Sequence, residues 1–132
     1  SISTDLHTSS MNSAMKDMLN VMGKFMAMGV PLVDVIRQST WNPAREIKLE
    51  SLGHLSVGAP ADVAVLRLEK GSFGFVDPAG GRINASQRLS CELTVRDGKV
   101  VYDQNGLIAD PWETLPGNAR GGDPKWDRTR GH

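Results

Sequence analysis

Asp5 and His7 stand at the end of a short run, Ser1-Ile2-Ser3-Thr4-Asp5-Leu6-His7, that begins with strand-like alternation and breaks off into polar residues. A carboxylate and an imidazole are side chains that take and return protons near neutral pH, and both ligate zinc and similar divalent metals. At the C-terminal end of a strand in a barrel of alternating strands and helices, they would project where catalytic side chains gather. Taken in isolation, Asp5 reads first as a loop-starting or helix-capping aspartate.

The elements that must position this pair come next in the chain. Thr8 to Ser13 is a polar loop rich in capping residue types, with Ser13 as the expected N-cap of a first helix. Met11, Met15, Met18, Met22 and Met26 then recur at helical spacing with Leu19 and Phe25 beside them, which predicts an apolar helix face running to about Met28. Methionine is a flexible core filler, so the stripe reads as packing; a soft metal or cofactor box is the alternative use of the same residues. Gly29 suits the C-terminal cap and Pro31 the first turn of a second helix, with Leu32, Val35, Ile36 and Ser39 on one face. Asn42 as N-cap and Pro43 as first helical residue predict a short third helix ending near Leu49.

The period then changes. Leu52 to Pro60 is rich in turn residues, with glycines where positive φ is needed. Val63-Ala64-Val65-Leu66 is a continuous apolar run that predicts a buried strand, and Phe73 and Phe75 alternate in a second candidate. Leu89, Cys91, Leu93 and Val95 alternate with Ser90, Glu92, Thr94 and Arg96, predicting a strand with one dry and one wet face. Asp97-Gly98 signals a two-residue hairpin, and Lys99 to Tyr102 is the returning strand. Cys91 falls on the dry face and has no basic sequence neighbour, so it reads as an inert thiol. From about Ala109 to His132 the chain is dense in Pro, Gly, Arg and Asp, lacks a period, and carries Trp112 and Trp126.

The bulk properties set the outer limits. The 132 residues suffice for one modest domain with a core, and 15 Lys plus Arg balance 15 Asp plus Glu. Without a basic stripe, nucleic acid is not an expected partner. No apolar run approaches the roughly 20 residues that cross a bilayer, so no membrane partner is expected either. The single cysteine excludes an internal disulfide. It suits a reducing compartment, and with no leader pattern at the start a cytoplasmic location is expected. The chain does not open on Met, which fits a fragment of a longer protein.

Asp5 after a strand, two helices, Asn42-Pro43-Ala44, then Gly53-x-Leu55-x-x-Gly58-x-x-Ala61-Asp62-Val63, then Val95-Arg96-Asp97-Gly98-Lys99-Val100-Val101 together resemble the C-terminal third of an amidohydrolase-superfamily enzyme. The likeness is strongest to the dihydroorotase-like amidohydrolase/deacetylase group, over about residues 1 to 108. It implies an α/β plus β fold. Residues 1–50 would hold the last βα unit of a (β/α)8 TIM barrel with its helices, 51–108 the C-terminal part of a small β-sandwich domain, and 109–132 an irregular tail. It further implies that Asp5 touches a divalent metal, zinc by type, and handles the proton of the attacking water. The reaction implied is hydrolysis of an amide-type C–N bond, or a related ester, in a small-molecule substrate. Asp62 would be structural, fixing the turn after Gly58.

His7 matches none of the family's metal histidines; it would face the substrate or cap the loop. His54, at a variable place in the glycine motif, is expected at the surface, and His132 carries no signal. A zinc site takes roughly three or four protein ligands, which this chain does not supply, so the isolated chain is expected to be inactive and without tightly held metal. Open strand edges predict self-association into a homo-oligomer. Two other readings compete: a non-catalytic assembly module of the same fold, and an independent α+β binding domain that shares the glycine motif.

Overall fold

The computed structural model describes residues 1–11 and 14–116. Three helices, α1 (Met18–Ala27), α2 (Leu32–Ser39) and α3 (Trp41–Glu46), precede an antiparallel meander of β1 (Val63–Val76), β2 (Arg82–Arg96) and β3 (Lys99–Asp103), in the order β1-β2-β3. Among the described residues, a 3-10 turn, Trp112–Thr114, comes after the sheet. The tail's remaining residues, including Trp126 and His132, lie outside the described residues.

Helix α1 begins later than the methionine spacing predicts. Asp17 is its N-cap, its carboxylate accepting the Asn20 amide at 2.7 Å; Ser13, the expected cap, lies outside the described residues. Met11 and Met15 therefore precede the helix, and Met11 is exposed. The C-terminus closes as expected at Gly29, with φ of 95°. The Val30 amide reaches the Phe25 carbonyl at 3.0 Å and the Gly29 amide the Met26 carbonyl at 2.9 Å. That pair of bonds is a Schellman closure, which needs the left-handed conformation glycine adopts without penalty.

Pro31 is the N-cap of α2 rather than its first residue. The start of α3 departs further from expectation: Thr40, not Asn42, holds the N-cap, and Pro43 sits inside the first turn. The Thr40 hydroxyl donates back to the Ile36 carbonyl at 2.8 Å and so makes no cap. Pro43 is tolerated there because first-turn amides have no intrahelical acceptor.

The core joins both halves. Ile2, Val21, Met22, Val35 and Leu89 form one buried cluster, with Met15, Met18, Phe25, Met26 and Leu66 among the side chains packed on it. Met15, Met18, Met22 and Met26 pack in this core, as the packing reading expects, and Met11 does not. One contact here has no signature in residue order: Gly23 of α1 lies against the buried ring of Phe75.

The sheet corrects two expectations. Val63 to Val76 is one long strand rather than two, and Val65 and Leu68 are partly exposed, so the apolar run is not covered on both faces. Val65 pairs with Leu93 and Leu66 with Cys91, which leaves Glu92 of β2 as an extra residue in a bulge. The bulge turns Glu92 inward although alternation places it on the wet face; it is 8% exposed. Its carboxylate is held by Arg67 Nε at 2.8 Å and Asn105 Nδ2 at 3.0 Å, the pairing a buried charge needs. Cys91 is half-buried, its Sγ 3.4 Å from Thr94 Oγ1. The hairpin at Asp97-Gly98 is as predicted, with φ of 50° and 72° at the two central residues, the sign pattern of a type I′ turn.

Candidate active site

The opening heptad is not a strand. Residues 1–7 run without a ladder partner, because no described segment lies beside them to supply one. The run is anchored instead at Ile2, whose side chain is buried and whose amide donates to the Gln38 carbonyl at the end of α2 at 2.8 Å. Asp5 therefore comes after a fixed segment rather than ending a sheet strand.

Asp5 has φ of 46°, a left-handed conformation that aspartate tolerates better than most residues. One hydroxyl sets the loop beyond it. Ser10 Oγ lies 3.0 Å from the Asp5 carbonyl and 3.2 Å from the His7 carbonyl, and accepts the His7 amide at 2.9 Å. The Met11 amide adds a bond to the His7 carbonyl at 3.0 Å. His7 Nδ1 accepts the Ser9 amide at 3.3 Å, so the neutral ring carries its proton on Nε2. Both Asp5 and His7 are exposed.

A cavity of about 330 Å³ is lined by both side chains, with Ser9, Ser10, Met15 and Lys24. Lys24 reaches back from α1 to donate to the Ala14 carbonyl at 2.8 Å. Sequence reasoning singles out Asp5 and His7 but misses Ser10 and Lys24. No motif marks either; only the folding of the loop back onto α1 brings them together. A second, apolar cavity of about 530 Å³ lies elsewhere, between the helices and the start of β1, with Met18, Met22, His54, Leu55 and Cys91 on its wall.

His54 is half-buried rather than a free surface residue. Its ring meets Trp41 edge-on at 5.5 Å, Nε2 is 3.0 Å from the Glu50 carbonyl, and Nδ1 accepts the Ser56 amide. Both nitrogens are engaged within the loop, which is a structural use. Gly53 beside it has φ of 76°, and a Cβ there would lie 2.6 Å from the Thr40 carbonyl oxygen. Asp62 is structural in two ways: its amide donates to the Pro60 carbonyl at 2.8 Å in the turn after Gly58, and its Oδ1 accepts the Asp97 amide of the β2–β3 hairpin at 2.7 Å.

Among the described residues, no group of three or more His, Cys, Asp or Glu side chains is placed to hold a metal ion. The cavity offers one carboxylate and one imidazole, which does not complete a zinc site. No helix among the described residues is long and apolar enough to cross a membrane.

Residues 1–102 match the amidohydrolase family, and the match takes in the Asp5 loop, the glycine motif, β1, β2 and all of β3 but its last residue. The chain belongs to the amidohydrolase family. A deacetylase of Brucella anthropi is 40% identical over 89 residues, 67% of this chain and 22% of its own length. A deacetylase of Agrobacterium fabrum is 36% identical over the same share of each. Among solved structures, an adenine deaminase superposes with a TM-score of 0.73 at 26% identity, and a dihydroorotase with 0.70 at 30% identity. Each superposition covers 78% of this chain and 28% of the other. This amidohydrolase chain thus spans 22% to 28% of the length of the proteins it matches.

Proposed function

We propose that the chain is the C-terminal part of a metal-dependent amidohydrolase that cleaves an amide-type C–N bond, or a related ester, in a small molecule. The observation that carries this reading is the Asp5–His7 cavity at the end of an anchored, extended N-terminal segment, within a chain of amidohydrolase type. In this reading residues 1–50 are the last βα unit of a (β/α)8 barrel with its helices, 51–108 belong to a β-sandwich domain, and 109–132 are an appended tail.

Asp5 is the catalytic residue. Its carboxylate accepts the proton of the attacking water and returns it to the leaving nitrogen as the C–N bond breaks. The left-handed backbone at Asp5 and the Ser10 hydroxyl that bonds its carbonyl fix where that carboxylate stands. His7 presents Nε2 to the substrate. A divalent metal, zinc by type, with Asp5 among its ligands, belongs to this proposal only with further ligands from beyond the described residues, and the chain by itself is inactive. The deacetylases and the deaminase among its relatives support hydrolytic chemistry.

A cytoplasmic location is proposed from the single, unpaired Cys91. Self-association is proposed from the sheet: among the described residues the outer edges of β1 and β3 have no strand partner. A clean monomer in size-exclusion chromatography overturns that part.

The test of the catalytic reading is Asp5→Asn in the whole enzyme. Turnover falls to background while the folded state persists by circular dichroism; undiminished turnover would instead favour a non-catalytic assembly module.

A further inference from the structure

We propose that the Asp5–His7 cavity takes a carboxylate group of its ligand, and that the Lys24 ammonium is what selects it. The inference rests on that cavity being the substrate end of the site, and it narrows the substrate to a small acyl compound that carries a carboxylate.

Lys24 of α1 lines the same cavity as Asp5 and His7 and is half-buried. An ammonium has three donors. One goes to the carbonyl of Ala14, a residue only 2% exposed, which pins the head group in place. Among the described residues no carboxylate forms an ion pair with it. A partly desolvated cation with donors to spare is costly unless an anion meets it. His7 supplies a second donor, because its Nδ1 is occupied by the Ser9 amide and the neutral ring donates through Nε2. Ser10 supplies none, since its hydroxyl is committed to the loop's own backbone.

Charge within the cavity then orders the ligand. The Asp5 carboxylate repels an anion, so the anionic end of a ligand settles by Lys24 and its neutral, scissile end by Asp5. A cavity of about 330 Å³ is at the small end of ligand sites, which suits a compact molecule.

The probe is sodium acetate, titrated into the full 132-residue chain with sodium chloride at matched ionic strength as control, tracking the amide resonances of His7, Ser9 and Ser10 by NMR. Acetate is expected to give saturable shifts with a Kd on the order of ten millimolar. Lys24→Gln keeps a donor for the Ala14 carbonyl but removes the charge, and should weaken binding about tenfold, the loss of one charge-assisted hydrogen bond. Lys24→Arg keeps the charge and should bind within a few-fold of the parent chain. The proposal is overturned if acetate gives no saturable shift, if chloride reproduces it, or if Lys24→Gln binds as tightly as the parent chain. None of these readouts involves turnover, so they stand or fall separately from the hydrolytic role of Asp5.

Discussion

Gly23 faces Phe75 so closely that a methyl group on its Cα would lie 2.5 Å from the ring's Cζ. The ring is buried and must shift to admit that methyl group. Gly23→Ala should therefore destabilise by about 1–2 kcal/mol, because overpacking outweighs the roughly 1 kcal/mol that alanine gains over glycine in a helix. A double-mutant cycle with Phe75→Leu measures the coupling: Gly23→Ala should be harmless or stabilising once the ring is gone. Equal cost in both backgrounds refutes the contact.

Gly53 and Gly58 separate conformational strain from collision. Both have positive φ, but a Cβ at Gly53 would meet the Thr40 carbonyl at 2.6 Å, whereas one at Gly58 would meet nothing within 4 Å. Gly58→Ala should cost about 1 kcal/mol, and Gly53→Ala about 3 kcal/mol or more. Urea unfolding midpoints at constant m-value decide this; similar costs would mean that only backbone conformation matters.

Asp103 should give the chain an acid-sensitive loop. Its carboxylate accepts the Ile108 amide at 3.0 Å and the Leu107 amide at 2.9 Å, and these bonds, Ile108 first, hold it below its ordinary value of 3.8. A lowered folded-state value means stability that is present above the unfolded value and lost as pH falls through the folded one. Asp103→Asn should thus lower Tm near neutral pH, with the gap narrowing below about pH 3.8. A gap that stays constant down to pH 2 would rule this out.

Asp5→Asn tests the chemistry. In the whole enzyme it should reduce kcat roughly 10²–10⁴-fold, the scale of one general acid–base group, while KM and Tm change little. An unaltered kcat removes Asp5 from the mechanism.

Much of this architecture is legible in residue order, for reasons that can be named. The Asp97-Gly98 pair specifies its hairpin locally, within two residues, and the turn forms as that pair dictates. The Gly29 closure of α1 is local in the same way. Alternation puts Glu92 on the wrong face because a bulge depends on the partner strand, which period alone cannot reveal. Ser1–His7 has the composition of a strand, but a strand exists only where another backbone pairs with it. At the cavity, Asp5 and His7 carry types that announce chemistry; Lys24 sits in a helix like any surface lysine until the fold carries it to them.

The Asp62 carboxylate holds the Asp97 amide, and Ala61's carbonyl takes the Gly98 amide at 3.0 Å. These two bonds latch together segments that meet only after β1 and β2 have zipped along their full length. Slow solvent exchange at the Asp97 amide therefore reports, from a single proton, that β1 and β2 are joined at their open end, and fraying of that pair will show there first.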